Sequence, residues 1–153
     1  MDKVEHMAII HNGVKTENNL PQLLMSYEKD IQKAEQLMSL MPQVETPSFH
    51  HFTDGLYTRE THMPKGCFAI GKCHKFRVTN ILLKGKISVL MGNDVVEYEA
   101  PCIFTSEAGI KKVAYFHEDT IWLNCHPTNE TDLEKIEEEV IMKDKDKEIT
   151  WLG

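Results

Sequence analysis

Apolar and polar residues alternate with a period of two through most of the chain after residue 55. Such alternation is typical of strands with one buried face, and turns rich in Gly, Pro and Asp separate the runs. The pattern predicts eight short strands, over 56–61, 67–72, 76–83, 86–91, 95–99, 103–106, 111–116 and 120–125. Strands at intervals of about ten residues, without long helices between them, favour an antiparallel barrel or jelly roll over a parallel α/β sheet.

Ahead of the strands, the apolar residues of 20–41 recur at alternating steps of four and three. This spacing predicts one helix with an apolar seam, which Asn19 caps and Pro42 ends. The seam consists of Leu20, Leu24, Tyr27, Ile31, Ala34, Met38 and Met41. It could pack against the barrel of its own chain or against a second subunit, and we expect a homo-oligomer, with a dimer favoured.

The other segments are short. Residues 7–10 could form an edge strand or a flexible arm, and residues 42–53 have the composition of a linker. Thr131 and Glu134 have the spacing of a capping box, which predicts a short acidic helix through Ile141. We expect one domain overall, with an arm and helix in 1–49, the barrel in 50–127 and an acidic helix and tail in 128–153.

The composition and charge of the chain limit the kinds of binding partner and the cellular compartment that we expect. A chain of 153 residues is long enough for one domain with a core. Its net charge of -7 argues against an extended nucleic-acid surface but leaves room for a local cationic pocket. The chain has no apolar run of transmembrane length, no basic leader and no C-x-x-C pair. We therefore expect a cytoplasmic protein that has no membrane partner.

Three segments resemble small cupin-superfamily proteins of tailed bacteriophages. They are H-H-F-x-x-G-x-Y-x-R-E-x-x-M-P-x-G (50–66), A-P-x-x-F-x-S-x-A-G-x-K (100–111) and E-D-T-x-W (118–122). An acidic helix also follows the W-x-x-x-H-P-T segment (122–128) in those proteins. The resemblance implies a mainly β fold, a cupin-type antiparallel jelly roll with an N-terminal helix and a short C-terminal helix. For a phage protein it also implies location in the host cytoplasm. It implies no particular activity.

Cupins that bind a metal take ligands from H-x-H-x(3,4)-E-x(6)-G and from a later G-x-x-H. Counted back from Gly85 or forward from His74, the first three ligand positions are occupied by Lys72, His74 and Val78, or by His74, Phe76 and Asn80. Lys112 stands at the position of the last histidine. One ligand of four remains in either register, so we expect no cofactor. A less usual transition-metal site could still form from Glu60, His62 and His74, with His51 and His126 beside them.

The residues that replace the metal ligands are polar or cationic. If they face the lumen, a buried lysine there needs an anion, which could be an internal carboxylate such as Glu60 or a bound phosphate, nucleotide or carboxylic acid. Aromatic side chains could form the walls of such a pocket. The candidate ligand-binding residues are Tyr57, Arg59, Glu60, Lys72, His74, Asn80, Lys112, Tyr115 and Trp122.

Three functions remain open at this point. The first is a non-catalytic protein that captures a small anionic molecule in the barrel. The second is a metal- or base-dependent enzyme, an isomerase or dioxygenase-like cupin, centred on His74 and Glu60. The third is an assembly protein that uses its N-terminal helix. We favour the first, because Lys72 and Lys112 replace metal ligands. The enzyme is less favoured, because the sequence has no G-x-S-x-G elbow, P-loop or H-E-x-x-H motif.

Overall fold

The strands of the computed structural model form two five-stranded antiparallel sheets. The structure describes residues 7–10 (as backbone), 35, 39–40, 42–91 and 94–143. Within these residues the elements are β1 (Met7–Ile10), β2 (Ser48–Thr53), β3 (Leu56–Met63), β4 (Cys67–Ile70), β5 (Val78–Lys84), β6 (Lys86–Met91), β7 (Asp94–Glu99), β8 (Cys102–Ser106), β9 (Val113–Phe116), β10 (Thr120–His126) and α1 (Leu133–Val140). The strand orders are β1-β4-β9-β6-β7 and β2-β3-β10-β5-β8.

The order of the strands defines a jelly roll. The segment from β3 to β10 folds like one long hairpin, since β3 pairs with β10, β4 with β9, β5 with β8 and β6 with β7. The hairpin then wraps around an axis, so that β10 also pairs with β5 and β9 also pairs with β6. Eight antiparallel strands joined in this way are a jelly roll. The predicted fold class is confirmed.

All eight predicted strands are present, with ends within two residues of the predicted ones. Two further strands extend the sheets. The edge-strand interpretation of Met7–Ile10 is correct, because this segment pairs with β4. The linker predicted over 42–53 is wrong in its second half, because Ser48–Thr53 pairs with β3. That strand, SFHHFT, lacks the regular alternation that reveals the others.

The helix α1 begins after Asp132, not after Thr131 as predicted. The Asp132 carboxylate accepts hydrogen bonds from the N–H groups of Glu134 and Lys135, at 3.0 and 3.2 Å. The predicted capping box is therefore wrong. Aspartate is at least as good an N-cap as threonine, and the Thr131 N–H donates instead to the Glu130 carboxylate.

The apolar side of α1 packs on the barrel. Ile136 and Val140 are buried together with Tyr57 of β3, and Leu133 lies at the edge of this cluster. The backbone joins the same contact, because the Lys75 N–H donates to the Val140 carbonyl at 2.8 Å. The helix is thus fixed over one end of the barrel.

The helix predicted over 20–41 lies outside the described residues, apart from Glu35, Ser39 and Leu40. Its seam and the dimer inferred from it stay predictions. In the part of the chain that the structure describes, no helix has the length and apolar character needed to cross a membrane.

Gly85 lies between β5 and β6, where the backbone passes close to the start of β10. Its φ is +101°, and a Cβ at this position would lie 2.3 Å from Thr120 Oγ1 and 2.8 Å from the Asp119 carbonyl oxygen. Gly109 also has a positive φ, of +78°, but a Cβ there would meet no atom within 4 Å. A side chain at Gly85 would therefore meet both backbone strain and steric overlap, whereas a side chain at Gly109 would meet backbone strain alone.

We expect Gly109→Ala to lower the free energy of unfolding by about 1–2 kcal/mol, the cost of left-handed backbone for a residue with a side chain. Gly85→Ala should cost about 1–3 kcal/mol more, because overlap with Thr120 is added to the same strain. Urea unfolding of both variants measures the difference. Equal losses would contradict the close approach at Gly85.

Candidate functional site

A cavity lies inside the barrel, at the end that α1 covers. One wall is made of alternate residues of β3, namely Tyr57, Arg59, Thr61 and Met63. The polar side chains of the other walls are Lys72, His74, Lys112, Asn124, His126 and Glu137. Apolar residues of the barrel core and of α1 complete the lining. Both polar and apolar side chains thus line the cavity.

The cavity is small. Its volume is about 60 Å³, counted as the space open to the centres of water-sized molecules. One water needs about 10–15 Å³ on that measure. A space of this volume therefore suits a few polar groups, such as those of a short carboxylic acid or a phosphate, better than a whole nucleotide.

Asn80 connects the polar groups behind the cavity. It is fully buried, and its Oδ1 accepts hydrogen bonds from Asn124 Nδ2, Trp122 Nε1 and Lys112 Nζ, at 2.7, 3.0 and 3.3 Å. Its Nδ2 donates to Ser106 Oγ at 3.0 Å. Because three donors meet one oxygen, the amide oxygen and not the amide nitrogen must face them. The network holds Lys112 in a defined position.

Lys112 is a buried lysine in the cavity wall. Its side chain crosses from sheet to sheet, and its Nζ donates to Asn80 Oδ1 and, at 3.1 Å, to Ser106 Oγ. The Nζ also lies 5.4 Å from the centre of the Trp122 ring, within reach of a cation–π interaction. No carboxylate of the described residues forms an ion pair with it. Burial lowers the pKa of Lys112 to about 8.

Two further cations and one carboxylate line the cavity. Lys72 forms an ion pair with Glu137 of α1, which connects the helix to the barrel wall. Burial, and then the nearby Arg59 guanidinium, lower the pKa of Lys72. Among the described lining residues, Arg59, Lys72 and Lys112 face the single carboxylate of Glu137. The formal charge of the cavity is therefore positive.

Two histidines and a tyrosine lie side by side in the cavity wall. The His126 ring stacks on Tyr57 at 5.8 Å and lies 5.3 Å from the His74 ring. The Tyr57 hydroxyl is hydrogen-bonded to His50 Nδ1 at 2.7 Å. Burial, followed by the charges of Arg59 and Lys112, lowers the pKa of His126 to about 4. His126 is therefore neutral at physiological pH.

Most of the predicted site residues come together in this cavity. Six of the nine line it, namely Tyr57, Arg59, Lys72, His74, Lys112 and Trp122. Asn80 lies directly behind the wall and bonds two of these residues. Their roles toward a ligand stay predictions, but their positions are those expected of a lumen site.

Two predicted site residues lie elsewhere. Side chains alternate along a strand, so Glu60 must face away from the lumen that its neighbour Arg59 faces. In the same way Tyr115 points outward between Ala114 and Phe116, and its ring packs on Phe68 at 4.8 Å. Placing Glu60 and Tyr115 at the cavity was therefore wrong.

Glu60 forms its own cluster on the outer surface. Its two carboxylate oxygens contact Nε2 of His62 at 2.6 Å and Nε2 of His51 at 3.0 Å. Hydrogen bonds from His62 and then His51 lower the pKa of Glu60. His74 lies in the cavity instead, so the metal set of Glu60, His62 and His74 does not assemble.

The residues at the expected metal positions do not fit a cation. Lys112 occupies the place of the last histidine and is hydrogen-bonded to Asn80, which stands at a carboxylate position. Within the described ranges, no group of three or more His, Cys, Asp or Glu side chains is arranged to hold a metal ion. At the positions of the last histidine and of the carboxylate, the cavity wall therefore carries an ammonium group and a neutral amide.

The contribution of α1 to the cavity was missed. Leu133, Ile136, Glu137 and Val140 all line it. A signal was present, because the apolar residues of this helix follow at steps of three and four and mark one packing face. The prediction for this segment was a short acidic helix without a part in the cavity.

Solved structures with a similar fold include proteins of the cupin type. A cupin-2 domain-containing protein from Shewanella frigidimarina is 8% identical, with 68% of this chain and 99% of that chain covered and a TM-score of 0.45. A conserved protein with a double-stranded β-helix domain from Klebsiella pneumoniae is 17% identical, with 57% and 81% covered and a TM-score of 0.49. KdgF from Halomonas sp. is 12% identical, with 55% and 81% covered and a TM-score of 0.47. No protein-family model and no curated protein matches the sequence. The jelly-roll assignment rests on the strand order described above.

His126 should make the protein less stable in acid. Its pKa in the folded protein, about 4, is below its ordinary value of 6.5, so between these values the unfolded chain binds more protons. The stability due to neutral His126 is complete above pH 6.5 and falls by about 3 kcal/mol as the pH drops to 4. Urea unfolding from pH 4 to pH 7 should show this loss in the native chain and lack it in His126→Phe, which keeps a flat ring. Equal pH dependence of the two proteins would show that His126 titrates normally.

Proposed function

We propose that the barrel binds a small anionic molecule in its lumen and holds it without turnover. The observation that carries this proposal is the charge of the cavity, in which Arg59, Lys72 and Lys112 face one carboxylate, Glu137. A buried ammonium group without an ion pair is costly, and a bound anion would remove that cost. The other polar groups of the wall are then ligands for the same anion.

An unpartnered hydroxyl supports the same proposal. Thr61 is 2% exposed and lines the cavity next to Arg59, and its Oγ1 has no hydrogen-bond partner among the described residues. Buried polar atoms are nearly always hydrogen-bonded in folded proteins. A carboxylate or phosphate oxygen in the cavity would supply the acceptor that this hydroxyl lacks.

The size of the cavity narrows the class of ligand. A volume of about 60 Å³ favours short carboxylic acids and inorganic phosphate over nucleotides. The phosphate of a larger molecule could enter only with the remainder of that molecule outside the mouth. Short carboxylic acids are therefore the first ligands to test.

The enzyme centred on His74 and Glu60 receives no support from the geometry, since Glu60 lies on the outer surface with His51 and His62. Origin in a tailed phage, and action in the host cytoplasm, remain part of the proposal. They are supported by the segments at 50–66, 100–111 and 118–122. The assembly function depends on residues 20–41, which lie mainly outside the described part of the chain.

Small anions should raise the melting temperature, because a ligand that binds the folded state stabilises it by mass action. We expect the largest shifts with short carboxylates or phosphate in a panel that also contains sugar phosphates and nucleotides. Lys112→Met should weaken binding roughly ten- to a hundredfold, as expected for one charge-assisted hydrogen bond of about 1.5–3 kcal/mol. Calorimetric titration of the best ligand measures this loss.

Lys84→Met is the matched control, because it removes the same charge at an exposed position outside the cavity. It should bind like the native chain. The proposal fails if no anion shifts the melting temperature, or if the two variants lose affinity equally.

A further inference from the structure

Lys112 is a primary amine that lines the cavity and is only 5% exposed. Its Nζ donates to two neutral oxygens, of Asn80 and Ser106. An ammonium group has three N–H donors, so one has no acceptor among the described residues. The Trp122 ring covers one side of the group, and both residues line the cavity. Such a lysine differs from Lys72, whose ammonium is engaged by Glu137.

We propose that Lys112 captures small 2-oxo acids as a reversible imine, with Arg59 and Lys72 binding the carboxylate. This inference rests on the proposed function, since it requires that anions enter the cavity, and it names the class of anion. The Lys112 amine reacts only with a ligand that has a carbonyl group. Arg59 and Lys72 favour a ligand that also has a carboxylate. The cavity volume of about 60 Å³ limits the acid to a short chain.

The step balances without a further reactant. The Nζ lone pair attacks the carbonyl carbon and forms a C–N bond, and the π electrons of the carbonyl move to its oxygen. Both hydrogens of the neutral amine then leave with this oxygen as water, which leaves a C=N bond. No group is oxidised or reduced, and addition of water restores the lysine and the oxo acid.

The surroundings of Lys112 favour the neutral amine that this step needs. Burial lowers the pKa of Lys112 to about 8, so a sizeable fraction is neutral in mildly alkaline buffer. Charged and titratable groups face it across the cavity from each neighbouring element: Arg59 from β3, Lys72 and His74 from the segment after β4, His126 from β10 and Glu137 from α1. The cations outnumber the one carboxylate and oppose a further positive charge.

Reduction with cyanoborohydride tests the proposal, because a hydride converts the imine into a stable secondary amine. The full-length chain is incubated with pyruvate or glyoxylate and the reductant, and intact mass and peptide mapping locate the adduct. We expect one adduct per chain, on Lys112, formed at least tenfold faster than on any other lysine. Adducts spread evenly over the lysines of the native chain would overturn the proposal, whatever the behaviour of variants.

Two variants separate imine formation from binding. Lys112→Arg keeps the cation but cannot form an imine, so the adduct should disappear, while Lys84→Arg should react like the native chain. Lactate, which has no carbonyl group, should bind and slow the trapping of pyruvate. Binding of lactate and pyruvate without a specific adduct would overturn the imine and leave anion binding intact. Failure of both acids to bind would overturn both proposals.

Discussion

The hydrogen bond from Lys112 to the amide oxygen of Asn80 is the interaction on which the cavity depends. Asn80 is fully buried, and the same oxygen also binds Trp122 and Asn124, so one amide orients the groups at the back of the lumen. An amide can accept these bonds without cancelling the charge of the lysine, as a carboxylate would. The result is a cation held inside the barrel and left without an ion pair among the described residues. This explains why burial acts so strongly on its pKa.

Strand alternation explains how the rest of the lumen is built. Inward positions of β3 carry Tyr57, Arg59 and Thr61, and the residues between them face outward. The candidates Lys72, His74, Asn80 and Lys112 came instead from the cupin metal-ligand positions that they occupy in the sequence, on the expectation that these positions face the lumen. Arg59 and Glu60 are adjacent on β3 and cannot share a face, so only Arg59 lines the cavity. The prediction that Tyr115 lines the cavity was wrong for the same reason, because its neighbours Ala114 and Phe116 face inward and Tyr115 faces outward.

Other features depend on contacts between distant segments, which no local pattern reveals. β2 is a strand because β3 offers it a partner, although its own sequence alternates poorly. The position of α1 over one end of the barrel depends on burial of Ile136 and Val140 against Tyr57, about 80 residues earlier in the chain. Its amphipathic spacing could predict that one side is buried, but not against which surface. The ion pair between Glu137 and Lys72 therefore had no signal in the sequence.

The pKa of Lys112 tests the central claim most directly, because it reports both the burial of the ammonium and the lack of a compensating carboxylate. It can be measured by NMR titration of a chain labelled with ¹³C in its lysines, with Lys112→Met used to assign the resonance. A buried cation in the lumen predicts one lysine resonance, absent from Lys112→Met, that titrates near pH 8. If no lysine resonance titrates near pH 8, Lys112 is solvated or paired with an anion of the protein, and the cationic cavity is contradicted.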